Sequence, residues 1–278
     1  MIRTLVSRLD PRGDRTGTAG DVARPPGGVP RTDPALPGSF PALTDPSPPP
    51  AWSRLRRLAR SPSYGHKARV RLISCRPSDP AALAFEHLRG HLLRSLPGNR
   101  MARIAVIAPT PDCGSTFATA NLALSLSRIS AFRTLALDLN LPRPGLAKAF
   151  DIRGAGALED MLTGAQAPEK HLFRIGETLA LGLNDRPVAN ASALMQGDAM
   201  WDVLDGIQNT LSPDITLIDL PPLLRDDTTR LVLPMVDGVL LVADGAHTTS
   251  RQIAECERRL SDRAPLLGVV LNRAAEGP

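Results

Sequence analysis

Arg103-Ile-Ala-Val-Ile-Ala108 followed by Pro109-Thr-Pro-Asp-Cys-Gly114-Ser-Thr116 is an apolar run that breaks into prolines, a glycine and hydroxyl residues. The apolar part has no polar alternation, so it reads as a strand buried on both faces. Thr116–Ile129, rich in Ala and Leu, reads as the next helix. A strand that turns directly into a helix leaves backbone amides and a positive helix end where anions bind. The usual phosphate-loop pattern is Gly-x-x-x-x-Gly-Lys-Ser/Thr. Gly114 and Thr116 match its end, but Pro109 stands at the first glycine and Ser115 at the lysine. Taken singly, the loop is equally an ordinary strand-to-helix turn.

Outward from this loop, strands and helices alternate. Strands are expected at Thr134–Asp138, Thr178–Leu183, Ile215–Asp219, Gly238–Ala243 and Leu266–Leu271. Helices are expected at Leu158–Thr163, Asp198–Asn209 and Thr249–Ser261. An earlier helix spans Asp79–Leu96, with Phe85, Leu88, Leu92 and Leu96 on one face, Ser78 as its cap and Pro97-Gly98 as its stop. This alternation predicts an α/β protein with one doubly wound, mostly parallel sheet.

Composition agrees. Of 278 residues 42% are hydrophobic and only 3% aromatic, so the core must be aliphatic. The net charge of +5 comes from arginine, since the only lysines are Lys67, Lys148 and Lys170. A basic excess suits an anionic partner such as a nucleotide or lipid surface, although arginine-rich usage also follows from codon bias. Cys75, Cys113 and Cys256 lack metal-ligand or redox spacing, which points to reduced thiols. No stretch approaches the ~20 apolar residues of a membrane span, and Met1–Asp10 lacks the apolar core of a secretory signal. The expected location is therefore cytoplasmic.

Residues 1–75 differ from the rest. Runs such as Arg24-Pro-Pro-Gly-Gly28 and Pro48-Pro-Pro50 cannot bury enough apolar surface to offset chain entropy. They are expected to form a disordered Pro/Arg-rich arm, leaving residues 76–278 as one domain. Within the arm, Trp52–Arg60 reads as a solvated linker or as a short basic helix at a membrane surface.

The candidate chemistry lies at the carboxyl ends of three strands, which in a parallel sheet stand side by side. After the loop come Asp138-Leu-Asn140-Leu-Pro142-Arg143-Pro144 and Asp219-Leu-Pro221-Pro222. An aspartate at each end can hold Mg²⁺ or its water shell near phosphates. Each alone is also an ordinary cap or turn residue.

Together these segments resemble the cytoplasmic domain of bacterial tyrosine kinases of capsule and exopolysaccharide systems, within the MinD/ParA-like group of P-loop ATPases. The resemblance runs from about Asp79 to Arg273. It rests on Glu86-His-Leu-Arg89, Thr116-Phe-Ala-Thr-Ala-Asn121, Asp138–Pro144, Leu158-Glu-Asp-Met-Leu-Thr-Gly164, Asn190-Ala-Ser-Ala-Leu-Met195, Asp219-Leu-Pro-Pro222, Val236–Val242 and Leu267–Arg273. It implies binding of ATP or ADP with Mg²⁺. Cys113, Gly114, Ser115, Thr116, Phe117, Arg143 and Asn272 would contact the nucleotide, with Asn272 near the adenine. Thr116, Asp138 and Asp219 would hold the metal, and the two aspartates would be catalytic. Glu86 and Arg89 would pair across subunits in a self-oligomer. A membrane polysaccharide copolymerase would be the partner, with the chain peripheral at the inner-membrane face, and no nucleic acid is expected.

The departures fall where catalysis would sit. Ser115 replaces the lysine, Asn140 a second aspartate, Pro142 an arginine and Leu92 a second arginine of the oligomerisation helix. Tyr64, in the arm, is the only tyrosine. Phosphoryl transfer depends on positioning and electrostatics, and losing one preorganised donor costs ~10²–10³ in rate. The expected function is therefore a regulator of exopolysaccharide polymerisation and export with weak or no catalysis. The alternatives are an active ATP-dependent tyrosine kinase and a MinD/ParA-like positioning ATPase.

Overall fold

The structure, a computed structural model, describes residues 3–5, 50–58, 72, 80–96 and 101–274. Its strands form one nine-stranded sheet. They are β1 (Arg3–Leu5), β2 (Arg56–Arg57), β3 (Ala102–Ile107), β4 (Thr134–Asp138), β5 (Phe173–Ile175), β6 (Leu179–Gly182), β7 (Ile215–Asp219), β8 (Gly238–Asp244) and β9 (Leu266–Asn272). Their spatial order is β1-β9-β8-β3-β7-β4-β6-β5-β2. From β9 to β6 all neighbours are parallel. Both flanks reverse: β1 runs antiparallel to β9, and β5 antiparallel to β6. The expected doubly wound, mostly parallel α/β sheet is present.

Helices cover both faces. The main ones are α1 (Pro50–Arg54), α2 (Pro80–Ser95), α3 (Ser115–Leu126), α8 (Asp198–Leu211) and α10 (Ser250–Leu260). Short helices α4 (Leu146–Ala149), α5 (Glu159–Leu162), α6 (Pro168–His171), α7 (Ala191–Gln196) and α9 (Thr229–Val232) fill the connections. The pleat of β3 divides its side chains between two cores. Ala105 and Ile107 face the layer that holds α8 and α10, whereas Ile104 and Val106 face the layer of α2 and α3. Such two-sided burial is why the strand reads as unbroken apolar sequence.

Each helix buries the stripe that its sequence marks. α8 buries Met200, Leu204, Ile207 and Leu211 at three- and four-residue spacing. α2 buries Phe85, Leu88 and Leu92 against α3. α3 is buried along most of its length because α2 lies over its outer side. Thr249 caps α10 in a reciprocal box with Gln252, as a Thr-x-x-Gln start dictates.

The segment before residue 75 departs from expectation wherever it is described. Trp52 is fully buried, Ala51 and Leu55 lie in the same core, and Trp52 Nε1 donates to the Glu177 carbonyl at 2.9 Å. β2 then adds to β5, with Arg56 over the Phe173 ring at 4.4 Å. Trp52–Leu58 is therefore neither a solvated linker nor a free helix at a membrane surface. Composition averaged over a long arm hides one aromatic anchor, and such a side chain buries 150–250 Å². Leu72 is buried as well, and Arg3–Leu5 pairs along β9. Tyr64, Lys67, Ser78 and the remaining stretches of the arm lie outside the described residues.

Candidate functional site

Parallel strands with helices on both faces bring their carboxyl ends to one edge, and ligands bind where the strand order reverses. Here β3 lies between β7 and β8, and β4 lies beyond β7. The loop after β3 and the ends of β4 and β7 are thereby neighbours. Asp138 and Asp219, the last residues of β4 and β7, are register partners, and both side chains are fully buried.

The Pro109–Thr116 loop connects β3 to α3 as expected. Two of its residues have left-handed backbones: Asp112 at φ 65° and Gly114 at φ 97°. Gly114 is required on a second count, because a β-carbon there would collide with Asn272 Nδ2. The first turn of α3, from Ser115, leaves amides without intrahelical acceptors, and these amides can receive an anion.

Thr116 Oγ1 donates to Asp219 Oδ2 at 2.6 Å, and the Ser115 hydroxyl also hydrogen-bonds this carboxylate. The amides of Gly145 and Leu146 donate to Asp138 Oδ2 at 2.9 and 2.8 Å. Gly145 can approach only as glycine, since its β-carbon would come within 2.8 Å of Thr116 Cγ2. Asn184, just after β6, secures the same corner, donating to the Asp138 carbonyl at 2.8 Å and accepting from the Leu158 amide at 2.7 Å. The other oxygen of each carboxylate, Asp138 Oδ1 and Asp219 Oδ1, is buried without a hydrogen-bond partner.

Two adjacent buried carboxylates resist ionisation. Burial pushes the Asp138 pKa up to about 7, against the amides of Leu146, Gly145 and Asn140. Burial, then the charge of Asp138, raises Asp219 well above the carboxylate range, against hydrogen bonds from Thr116 and Ser115. An unpartnered carboxylate oxygen is costly to bury, and a divalent cation would satisfy both. Mg²⁺ accepts one or two carboxylates and completes its shell with water and phosphate oxygens. Asp138, Asp219 and Thr116 fit that role. Among the described residues no group of three or more His, Cys, Asp and Glu side chains could hold a metal, so phosphate would have to complete the site.

Other expected site residues are placed differently. Cys113 is buried, with Sγ near Thr110 Oγ1 at 3.4 Å and Thr248 Oγ1 at 3.6 Å. Asn272 points into the loop and donates to the Cys113 carbonyl at 2.9 Å. The Phe117 ring packs edge-on against Phe85, at 5.8 Å between centroids, which turns it toward α2. Arg143 is exposed on the turn after β4, and Lys148 is exposed on α4. Glu86 pairs with Arg128 of the same chain at 3.4 Å, and Arg89 Nη1 donates to the Ser125 carbonyl at 2.6 Å. Sequence reading missed Gly145, Asn184 and Asp244. Asn184 carried a faint signal, a polar residue directly after an apolar strand, whereas the expected β8 stopped one residue before Asp244.

Fold and loop define a phosphate-loop α/β protein of the nucleoside-triphosphatase kind. No family model matches the chain. The tyrosine-protein kinase ptk of Acinetobacter johnsonii is 28% identical over 209 residues, covering 74% of this chain and 27% of that protein. The succinoglycan biosynthesis transport protein ExoP of Rhizobium meliloti strain 1021 is 26% identical over 215 residues, covering 73% and 26%. The chain thus spans about a quarter of the length of these curated relatives. Among solved structures, the BceF tyrosine kinase domain superposes with a TM-score of 0.65 at 25% identity, covering 82% of this chain and 94% of that one. Over about three quarters of its length the chain is thus similar to bacterial tyrosine-protein kinases, in sequence and in fold.

Proposed function

We propose that this chain is a nucleotide-binding regulator of exopolysaccharide polymerisation and export, built on a tyrosine-kinase scaffold and with little or no phosphoryl transfer. One observation carries the reading: Asp138, Asp219 and Thr116 remain assembled, while a neutral Ser115 stands at the lysine position. Bound ATP with Mg²⁺ would supply the phosphoryl group and the cation that spreads its charge. The chain's own part is to hold the metal on Asp138, Asp219 and Thr116 and to orient phosphates with the loop amides. With Ser115 neutral and Asn140 lacking a carboxylate, charge developing on a transferred phosphoryl meets less stabilisation. Binding then outlasts catalysis. A tether is what such a protein offers an assembly line, and a membrane polysaccharide copolymerase is the partner proposed. The relative ExoP, by its name a biosynthesis transport protein, supports this direction.

Titration with Mg-ADP and Mg-ATP, followed by incubation with labelled ATP, tests the reading. The cytoplasmic fragment of a copolymerase should be present in half the samples. Saturable binding with no phosphotyrosine is expected. Strong phosphotyrosine formation that disappears in Asp138→Ala would identify an active kinase instead. Absence of binding at millimolar nucleotide would remove the nucleotide from the proposal.

A further inference from the structure

The last described residues of the chain grip the phosphate loop from outside. Asn272 ends β9 and donates to the Cys113 carbonyl at 2.9 Å. Arg273, the next residue, donates from Nη1 to the Asp112 carbonyl at 3.1 Å and to Asp244 Oδ2 at 2.6 Å. Two consecutive residues thus hold two consecutive loop carbonyls. Those carbonyls lie between the left-handed Asp112 and Gly114, the loop's least favourable backbone stretch. Arg273 itself has a left-handed backbone, φ 56°, which a β-carbon disfavours and its surroundings must maintain.

Asp244 sets the arginine. Its side chain is almost fully buried and also accepts from the Ala246 and His247 amides at 2.8 and 3.2 Å. His247 Nδ1 lies 3.3 Å from the same carboxylate. Burial draws the Asp244 pKa upward, but the Ala246 amide, Arg273 and His247 outweigh it and hold the carboxyl below its usual range. Thr248 Oγ1 accepts from the Asp244 amide at 2.8 Å and lies 3.6 Å from Cys113 Sγ. Gly245 donates to the Asn272 carbonyl at 2.7 Å. The ends of β8 and β9 and the phosphate loop form one laced corner.

We propose that Asn272 and Arg273, set by Asp244, are positioning residues that clamp the loop in its phosphate-receiving shape, and so sustain nucleotide affinity in a loop that has lost its lysine. This rests on the nucleotide-binding reading above. The physical basis is preorganisation: a loop already held in its bound form loses less conformational freedom on binding. An arginine fork can reach the loop carbonyl and the carboxylate together, and a lysine ammonium reproduces that geometry poorly.

Arg273→Gln, Arg273→Lys, Asp244→Asn and the Asp244→Asn/Arg273→Gln pair are compared with the wild-type chain. Three readouts are taken: the Mg-ADP dissociation constant, hydrogen exchange of the peptide covering residues 110–117, and the thermal midpoint. Arg273→Gln should raise the dissociation constant about tenfold and speed exchange of the loop peptide while exchange in α8 stays unchanged. Arg273→Lys should fall between Gln and wild type. The double variant should be no worse than Arg273→Gln alone, because both changes remove one contact. Unchanged loop exchange in Arg273→Gln overturns the clamp, as does an unchanged dissociation constant where the wild type binds. If the wild type binds no nucleotide, the functional reading fails, and loop exchange alone decides whether the clamp exists. Should Arg273→Gln fail to fold, Arg273→Lys carries the same comparison.

Discussion

Ser115 concentrates the tension of this site in one side chain. Its hydroxyl helps Thr116 to hydrogen-bond Asp219, so a residue that would ordinarily face phosphate with a positive charge is turned toward a carboxylate. Restoring lysine should recover charge-assisted contact with phosphate. Ser115→Lys is accordingly expected to tighten Mg-ATP binding by about tenfold or more, read by calorimetric titration; equal or weaker binding would show that the loop no longer presents that position to phosphate. The buried aspartates supply a second outcome. Burial pushes the Asp138 carboxyl up to about 7 in the folded chain, above its ordinary 3.8. Between those values the folded state binds the extra proton, so stability falls as pH rises through this window. Without metal, the thermal midpoint should be higher at about pH 5 than at about pH 8. Asp138→Asn should flatten that difference, and Mg²⁺ should stabilise more at the higher pH, where it displaces fewer protons. A midpoint that climbs with pH in wild type and variant alike would contradict this account. The residue types here were readable in sequence order. The expected adjacency of Asp138 and Asp219 was readable too; what could not be read was that each keeps one buried oxygen without a hydrogen-bond partner, because that depends on side-chain geometry in the folded sheet.

Among the elements, α1 is the one whose role reversed between expectation and structure. A five-residue helix in a Pro- and Arg-rich arm has no local reason to persist. It persists because Trp52 inserts into the core beside α8 and finds a carbonyl for its N–H. Trp52→Ala should cost ~3–5 kcal/mol, the range for a large buried aromatic, measured by urea unfolding. A loss below ~0.5 kcal/mol would return the segment to the surface. In α10 the buried face carries Cys256 and Leu260. Burial pushes the Cys256 thiol up to about 12, with Arg259 opposing, so it stays protonated near neutrality and cannot act as a thiolate. Thiol reagents should leave Cys256 unmodified in the native protein and label it only on unfolding; rapid native labelling would contradict the packing of α10. The long elements were legible because each carries one strong period, 3.6 in α8 and α10 or a continuous apolar run in β3, β7 and β8. Short strands such as β5 were not, since three residues cannot establish a period.

For the whole molecule, the question is what holds an assembly together. Glu86 and Arg89 are engaged within the chain, with Arg128 and the Ser125 carbonyl. Contacts with a second subunit would have to exchange for these, and an exposed ion pair contributes only ~0–1 kcal/mol. The isolated protein is therefore expected to sediment as a monomer or weak oligomer. No helix among the described residues is long and apolar enough to cross a membrane. Membrane association is proposed to require the copolymerase, which cell fractionation with and without that partner would check. Equal association in both would point to a direct lipid contact.

Local pattern alone was enough for the alternation of strands and helices, the position of the loop, the loss of its lysine and the aspartates that end β4 and β7. Those features are written in runs of a few to a dozen residues, where period and residue type carry the physics. The folded chain was needed for three things: Trp52 as a core residue, Asn184 and Gly145 as supports of Asp138, and the hold of Asn272 and Arg273 on the loop with Asp244 behind them. Apart from the seven-residue turn that brings the Gly145 amide to Asp138, each joins residues separated by tens of positions or more, and no local period encodes a contact that only sheet order creates.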